Sequence, residues 1–330
     1  MSIDFLAIGD TVIDEFIRLK DARVNCDIND EHCMLSVRFG DKVPFEFSEK
    51  IPAVGNSANA AVAAARLGVK ASLRVHVGDD DNGRLCIDTF KKEGVDTSLI
   101  VIEKGKKTNY HFVLWYESER TILIKHEAYA YEMPVLPEPP KWIYLSSLGE
   151  GTIPYQMAIG EYVAKNASVK MAFQPGTFQI KQGADALKPL YENAEIVFCN
   201  KQEAQTILKT QDTDFKLLLQ GMRSLGSKNA VITDGRGGSY AMDESGNAWH
   251  APMYPDPKPP LERTGAGDAT ASTTVSYLIK GLSLQEALLR GHINSAYVVQ
   301  EIGAQRGLLT PEKIEEFYEK RPADFKATSL

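Results

Sequence analysis

Residues 264–268 read TGAGD, two glycines, an alanine and an aspartate ahead of a run of small side chains. Val275, Leu278 and Ile279 follow at helical spacing and Gly281 supplies a stop. The spacing predicts a helix whose mouth is Gly265, Ala266, Gly267 and Asp268. The first N–H groups of a helix have no partner inside it and lie at the positive end of its dipole, which suits an anion such as a phosphoryl group. Glycine and alanine let that group approach the backbone closely. A carboxylate beside a phosphate would repel it, so Asp268 has two other readings. It steadies the helix dipole, by roughly 0.3–1 kcal/mol. Or it points at the nucleophile, taking a proton from a substrate hydroxyl while the amides stabilise the charge on the transferred group.

Other stretches offer partners for such chemistry. FCNKQEA places Asn200 at the end of a buried strand and Glu203 three residues on. The pair is a helix-capping pattern, and equally an amide and a carboxylate able to hold the water shell of Mg²⁺. AVGNSANAAVAAARLG carries Gly55 and Asn59 at the start of an alanine-rich helix. Its alanines serve close packing, and Asn59 is a donor and acceptor suited to hydroxyl recognition. AIGDTVIDEF adds Asp10 and Asp14 just past the first strand, where Asp14 either binds sugar hydroxyls or is a solvated turn residue. VITDGRGGSY, with Thr233, Gly235, Gly237 and Gly238, is a tight hairpin or a contact to nucleotide phosphate or ribose.

Several alternatives fall away. Cys26, His32 and Cys33 lack the fourth ligand of a zinc site, and GDDDNG lacks the spacing of a calcium loop and reads as a solvated acidic turn. There is no GxxxxGK[ST] and no well-placed GxGxxG, which counts against a P-loop NTPase and a dinucleotide-binding dehydrogenase. The remaining histidines, His76, His111, His126, His250 and His292, form no pattern and are expected to be packing or surface residues.

The elements that must position these residues alternate. FLAIGD, ASLRVHVGD, WIYLSSLG, VKMAFQPG, AEIVFCN and NAVITDG read as short buried strands, with helical stretches such as NSANAAVAAARLG and KQEAQTILKT between several of them. That is an α/β pattern with a central, mostly parallel sheet flanked by helices, and it places ligands at the carboxyl ends of the strands. Residues 15–50 and 107–127 break the alternation and read as antiparallel strands. They are expected to form a small β-rich lid on a core of residues 1–14, 51–106 and 128–330. Ser283 with Glu286, and Thr310 before Pro311, mark the starts of two C-terminal helices.

Bulk properties narrow the partners. The chain has 330 residues, 37 basic against 44 acidic side chains and a net charge of -7, so its surface is not one that attracts nucleic acid or an anionic membrane. Small molecules are the expected ligands. Four cysteines do not make a disulfide framework, no apolar run approaches a membrane span, and the acidic start is unlike a signal peptide, so a cytoplasmic location is expected.

Taken in order, AIGDTVID, GNSANAA…ARLG, VGDDDNG, ERTIL, NKQE, TDGRGG, TGAGD and NSAYVVQEIGA resemble the ribokinase-like, or PfkB, family of carbohydrate and nucleoside kinases over about residues 5–304. The resemblance implies an ATP-dependent kinase acting on a hydroxyl of a sugar or nucleoside. Asp268 would be the general base and the amides of Gly265, Ala266 and Gly267 the anion hole. Asn200 and Glu203 would organise Mg²⁺, largely through water, and Asn200, Thr233, Gly235, Gly237, Gly238 and Asn294 would hold the nucleotide. Asp10, Asp14, Gly55 and Asn59 would hold the acceptor. The two strand-rich insertions would form the lid, through which a homodimer could assemble.

Val54 departs from the paired glycines usual before this helix, which narrows the room beside the acceptor. Glu262 and Arg263 stand where the family often has Asp-Thr, so activation by a monovalent cation is not assumed. Aromatic residues in SVRFGDKVPFEF and NYHFVLWYE would let the lid stack on a nucleobase, although half-buried strands carry such residues anyway. A non-catalytic nucleotide or sugar sensor is the competing reading from another class.

Overall fold

The structure is a computed structural model, and it describes residues 2–26, 33–117 and 119–330. Its centre is a nine-stranded sheet. From one edge the order is Thr328–Ser329, Ala248–Ala251, Ser239–Met242, Asn229–Thr233, Ile196–Asn200, Lys170–Phe173, Trp142–Leu145, Phe5–Ile8 and Ala71–Arg74. The six strands from Asn229–Thr233 to Ala71–Arg74 are parallel, and the other three add an antiparallel edge. Strands such as FLAI and WIYL are buried on both faces, as their unbroken apolar runs require. One face packs on helices Asn56–Arg66, Ala266–Ile279 and Leu284–Val298, the other on Ile153–Lys165 and Phe215–Ser224.

The first strand lies inside the sheet. The chain leaves it toward Ala71–Arg74 on one side, while Trp142–Leu145 and its successors build outward on the other. Such a reversal opens a crevice at the carboxyl edge. Asp10, Gln174, Asn200 and Thr233 all stand at strand ends on that edge.

The run of small residues after Asp268 has a packing reason. Helix Ala266–Ile279 is buried along most of its length. Four of its hydroxyls bond to carbonyls one turn back: Thr270 to Ala266, Ser272 to Asp268, Thr274 to Thr270 and Ser276 to Ser272, at 2.6–3.0 Å. Small side chains also let the next helix approach, since a Cβ on its Gly291 would stand 2.6 Å from the Thr270 carbonyl oxygen.

The two insertions supply a four-stranded sheet in the order Glu119–Lys125, Tyr110–Tyr116, Val12–Leu19, Phe45–Val54. It is not wholly antiparallel. Val12–Leu19 runs parallel to Tyr110–Tyr116, because both strands enter the sheet from the same side. Val12–Leu19 and Phe45–Val54 also run unbroken across residues 14/15 and 50/51. In the acidic run at 79–81, Asp79 and Asp81 are exposed as a solvated turn requires, while Asp80 also caps helix Asp81–Lys92, accepting from the Gly83 N–H at 2.9 Å and the Thr108 hydroxyl at 2.6 Å. Cys26 and Cys33 form a disulfide, so their sulfurs are not thiolate zinc ligands, and His32 lies outside the described residues. Among the described residues no helix is long and apolar enough to cross a membrane.

Candidate active site

Asp268 lies in the first turn of helix Ala266–Ile279, and three amides hold its carboxylate. Oδ1 accepts from Asn56 Nδ2 at 2.8 Å and Gln174 Nε2 at 3.0 Å, and Oδ2 accepts from Asn59 Nδ2 at 2.8 Å. The amides are themselves oriented: the Tyr144 hydroxyl donates to Gln174 Oε1, and Gln305 Nε2 donates to Asn59 Oδ1 at 2.9 Å. A carboxylate offers about four acceptor positions. Three are filled here, and the open one is on Oδ2. Burial pushes the Asp268 pKa up, and the three amide bonds oppose that shift.

Ahead of it, Gly265 caps the helix with φ of 80°, a conformation that favours glycine. A Cβ there would lie 2.4 Å from the Ala304 Cβ, whereas one on Gly267 would meet nothing within 4 Å. The glycines of one motif thus serve different ends, the first a turn and the second open space. A cavity of about 430 Å³ opens over this mouth, lined by Asp14, Val54, Gly55, Asn59, His111, Arg120, Gln174, Asn200, Glu203, Thr233, Gly265, Gly267 and Asp268. A smaller cavity of about 90 Å³ adjoins it, sharing Thr233 and Gly267 and lined also by Gly235, Gly238, Ala266, His292 and Ser295. Gly267 therefore stands between two compartments, with Asp268 on the larger.

Asn200 and Glu203 form a reciprocal cap: Asn200 Oδ1 accepts from the Glu203 N–H and Glu203 Oε2 from the Asn200 N–H, both at 2.8 Å. Both also line the large cavity. Burial raises the Glu203 pKa, and the nearby Asp268 charge adds to it. Two carboxylates facing one cavity under such strain suit a divalent cation between them. Among the described residues no group of three or more acidic, histidine or cysteine side chains gathers as direct metal ligands.

The 233–238 turn is a hairpin that also lines the small cavity through Thr233, Gly235 and Gly238. Gly237 does not line it. Its carbonyl oxygen contacts His250 Nε2 at 2.7 Å instead. Nor does Asn294 face it: the side chain donates to Thr273 Oγ1 and accepts from the Leu309 N–H, both at 2.8 Å, tying helix to helix.

His292, which reads in the sequence as a packing or surface residue, also lines the small cavity. It is buried, its Nε2 has no hydrogen-bond partner among the described residues, and burial depresses its pKa to about 4. The unfolded chain takes up that proton near pH 6.5, so the neutral ring stabilises the fold above that pH and loses its contribution as pH falls toward about 4. The loss is of order 3 kcal/mol at ~1.4 kcal/mol per unit. Denaturant melts from pH 7 to 4 should show it, and His292→Gln should flatten the slope.

On the acceptor side the small sheet presents one face. Asp14, His111 and Ile124 are neighbours in register, and Arg120 lies on the same face four pairs further along. Asp14, His111 and Arg120 all line the cavity, so His111 is not a packing residue. Gly55, with φ of 118°, brings the backbone against the Asp10 carbonyl, which a Cβ would meet at 2.7 Å. Asn59 spends its amide on Asp268 and Gln305. Asp10 does not line the cavity and accepts from the Gly149 N–H at 2.8 Å and from the Tyr131 hydroxyl.

Glu262 is buried and engaged, Oε1 with the Gly303 N–H at 2.8 Å and Oε2 with Thr264. The lid aromatics Tyr110, Phe112 and Trp115 do not line the cavity; among the described residues the only rings lining it are those of His111 and Phe198. Asn56 and Gln174 escaped the sequence reading, although Asn56 stands one helical turn before Asn59 and Gln174 at a strand's carboxyl end.

Comparison with known proteins gives the family and the fold. Residues 41–311 match the profile of the pfkB family carbohydrate kinases. A 5-dehydro-2-deoxygluconokinase of Bacillus subtilis is 26% identical over 281 residues, covering 80% of this chain and 86% of that enzyme. The fold is that of solved ribokinase-like structures. A ribokinase of Arabidopsis thaliana, solved with ribose and ATP, superposes with a TM-score of 0.78 at 17% identity, covering 96% of this chain and 98% of that one. A nucleoside kinase of Methanocaldococcus jannaschii superposes at 0.76 and 18% identity, covering 97% and 99%. With the profile spanning most of its length, this chain belongs to the pfkB family of carbohydrate kinases, phosphotransferases whose acceptor is an alcohol group.

Proposed function

We propose that the chain transfers the γ-phosphoryl group of ATP to a sugar hydroxyl, with Asp268 Oδ2 as the general base. The supporting observation is the single open acceptor position on a buried, triply held carboxylate beside the first-turn amides of Gly265, Ala266 and Gly267, which have no hydrogen-bond acceptor among the described residues. The acceptor lies in the large cavity against Asp14 and the Gly55 backbone, its hydroxyl donating to Oδ2. ATP lies along the small cavity and the 233–238 turn, with its γ-phosphoryl group at Gly267. The base takes the hydroxyl proton as the oxygen attacks in line, and the helix mouth meets the charge on the three equatorial oxygens. Asn56, Asn59 and Gln174 fix the carboxylate so that no reorientation is needed at the moment of transfer. Asn200 and Glu203 would hold Mg²⁺, mostly through water, and the ion would supply charge neutralisation. The small sheet acts as the lid that excludes water. On the same reading a homodimer forms through that sheet, whose edge strand Glu119–Lys125 leaves Leu123 and Ile124 exposed.

The acceptor is a sugar carrying a carboxylate. Among the described residues Arg120 is the only lysine or arginine lining the large cavity. It stands 3.9 Å from Glu262 and makes no hydrogen bond among the described residues, so its fork of donors is available. The Bacillus subtilis relative is named for a sugar acid of this kind. The scarcity of aromatic lining speaks against a nucleobase. A screen of sugars, sugar acids and nucleosides with ATP and Mg²⁺ should find a sugar acid best. Arg120→Gln should raise its KM about 10-fold, the scale of one lost charged hydrogen bond, and leave a neutral sugar within twofold. Ligand binding without phosphate transfer to any acceptor would make the protein a sensor instead.

A further inference from the structure

Asp10 stands in the motif that points to acceptor binding, yet it does not reach the cavity. Its contacts show what it does reach. Asp10 Oδ2 lies 3.3 Å from His126 Nδ1. His126 Nε2 lies 3.1 Å from His111 Nε2. His111 Nδ1 lies 3.3 Å from Asp14 Oδ1. The four side chains form one file from the core turn after the first strand, through the end of the lid hairpin, to the cavity wall.

Each end of the file is fixed differently. Asp10 is immobilised by the Gly149 N–H and the Tyr131 hydroxyl. Asp14 Oδ1 and His126 Nδ1 are both buried without a hydrogen-bond partner among the described residues, so the two 3.3 Å approaches in the file are polar contacts rather than hydrogen bonds, and the Asp14 carboxylate is left to His111 and to whatever enters the cavity. Sheet register sets Asp14 beside His111, but register fixes only their backbones. The plane of the His111 ring is set by the nitrogen beyond it, where one Nε2–H donates to the other Nε2, and the edge of His126 in turn packs on Phe178 at 5.9 Å.

We propose that His126, set against Asp10 at 3.3 Å and hydrogen-bonded to His111, is a positioning residue for acceptor binding: it holds His111, and through it the Asp14 carboxylate, in the orientation the acceptor meets. The proposal rests on the reading above that Asp14 faces the acceptor. It gives Asp10 a role three contacts from Asp14, and it makes the lid hairpin and the core turn jointly responsible for acceptor affinity. The hairpin's end therefore tunes KM for the acceptor without touching the reacting atoms.

Two substitutions separate this from a merely structural role. In His126→Asn the amide takes the Nδ1 position beside Asp10 but cannot reach His111. In His126→Gln the longer side chain carries an amide to the Nε2 position. Steady-state kinetics and calorimetric acceptor binding, with 5-dehydro-2-deoxygluconate and ribose as probes, should give H126N an acceptor KM and Kd about 10-fold above wild type, as a small misplacement of a binding group costs. Its kcat and its KM for ATP should stay within twofold, and H126Q should recover most of the loss. In a His111→Phe background, H126N should add less than twofold.

The proposal is overturned if H126N leaves acceptor KM and Kd unchanged while Asp14→Asn raises them, or if the full H126N effect persists in the His111→Phe background. If Asp14→Asn itself leaves acceptor KM and Kd unchanged, the acceptor-site reading fails and carries this proposal with it.

Discussion

Replacing Asp268 by asparagine should lower kcat at least ~10²-fold, the usual contribution of a general base, while ATP still binds. The substitution keeps the side chain's shape but leaves Oδ2's place to a group that cannot take a proton. The same carboxylate should set the acid limb of the pH profile. Burial raises its pKa, so in the free enzyme kcat/KM should fall on acidification at a pH above the ordinary aspartate value of about 3.9. That shift bears on stability as well. Folded Asp268 holds its proton more tightly than the unfolded chain does. The resulting stabilisation is full below the ordinary carboxylate range and is lost as pH rises through the raised pKa. At neutral pH the ionised base thus opposes folding, a cost that active sites commonly carry. A D268N protein that phosphorylates at wild-type rate, measured by mass increase of the acceptor, would remove the residue from the chemistry.

The two glycines of TGAGD should fail in opposite ways. Gly267→Val should fold normally, because its new side chain enters open space. It should nevertheless lose ~10²–10³ in kcat, as when an anion-hole donor is lost, because that space is where the phosphoryl group passes. Gly265→Ala should instead destabilise the fold by about 1–3 kcal/mol, since its φ of 80° and the Ala304 contact leave no room for a methyl group. Thermal melts beside single-turnover rates would show the contrast. A Gly267→Val enzyme with full activity would place the phosphoryl group elsewhere.

The sheet and its helices were readable from the sequence because their signals are local. Apolar runs such as FLAI and WIYL are buried on both faces, and Asn200, Ser283 and Thr310 stand at helix starts where their types predict. The mouth at Gly265–Asp268 was legible for the same reason. What escaped was set by long-range contact. Gln174 and Asn56 meet Asp268 across 94 and 212 residues of chain, and nothing near either residue announces the bond. His111 and His126 looked scattered because their pairing depends on hairpin register, and the parallel pairing of Val12–Leu19 with Tyr110–Tyr116 depends on how two distant insertions enter one sheet. Gly237 and Asn294 illustrate the converse, residues whose motif positions point to a ligand while their polar groups bond within the protein.

The most direct test is a crystal structure with a non-hydrolysable ATP analogue and the acceptor found by the screen. The account predicts the acceptor hydroxyl at about 2.6–3.2 Å from Asp268 Oδ2, in line with a γ-phosphoryl group resting on the Gly267 amide. A hydroxyl held away from Asp268, or a γ-phosphoryl group bound outside the helix mouth, would contradict it.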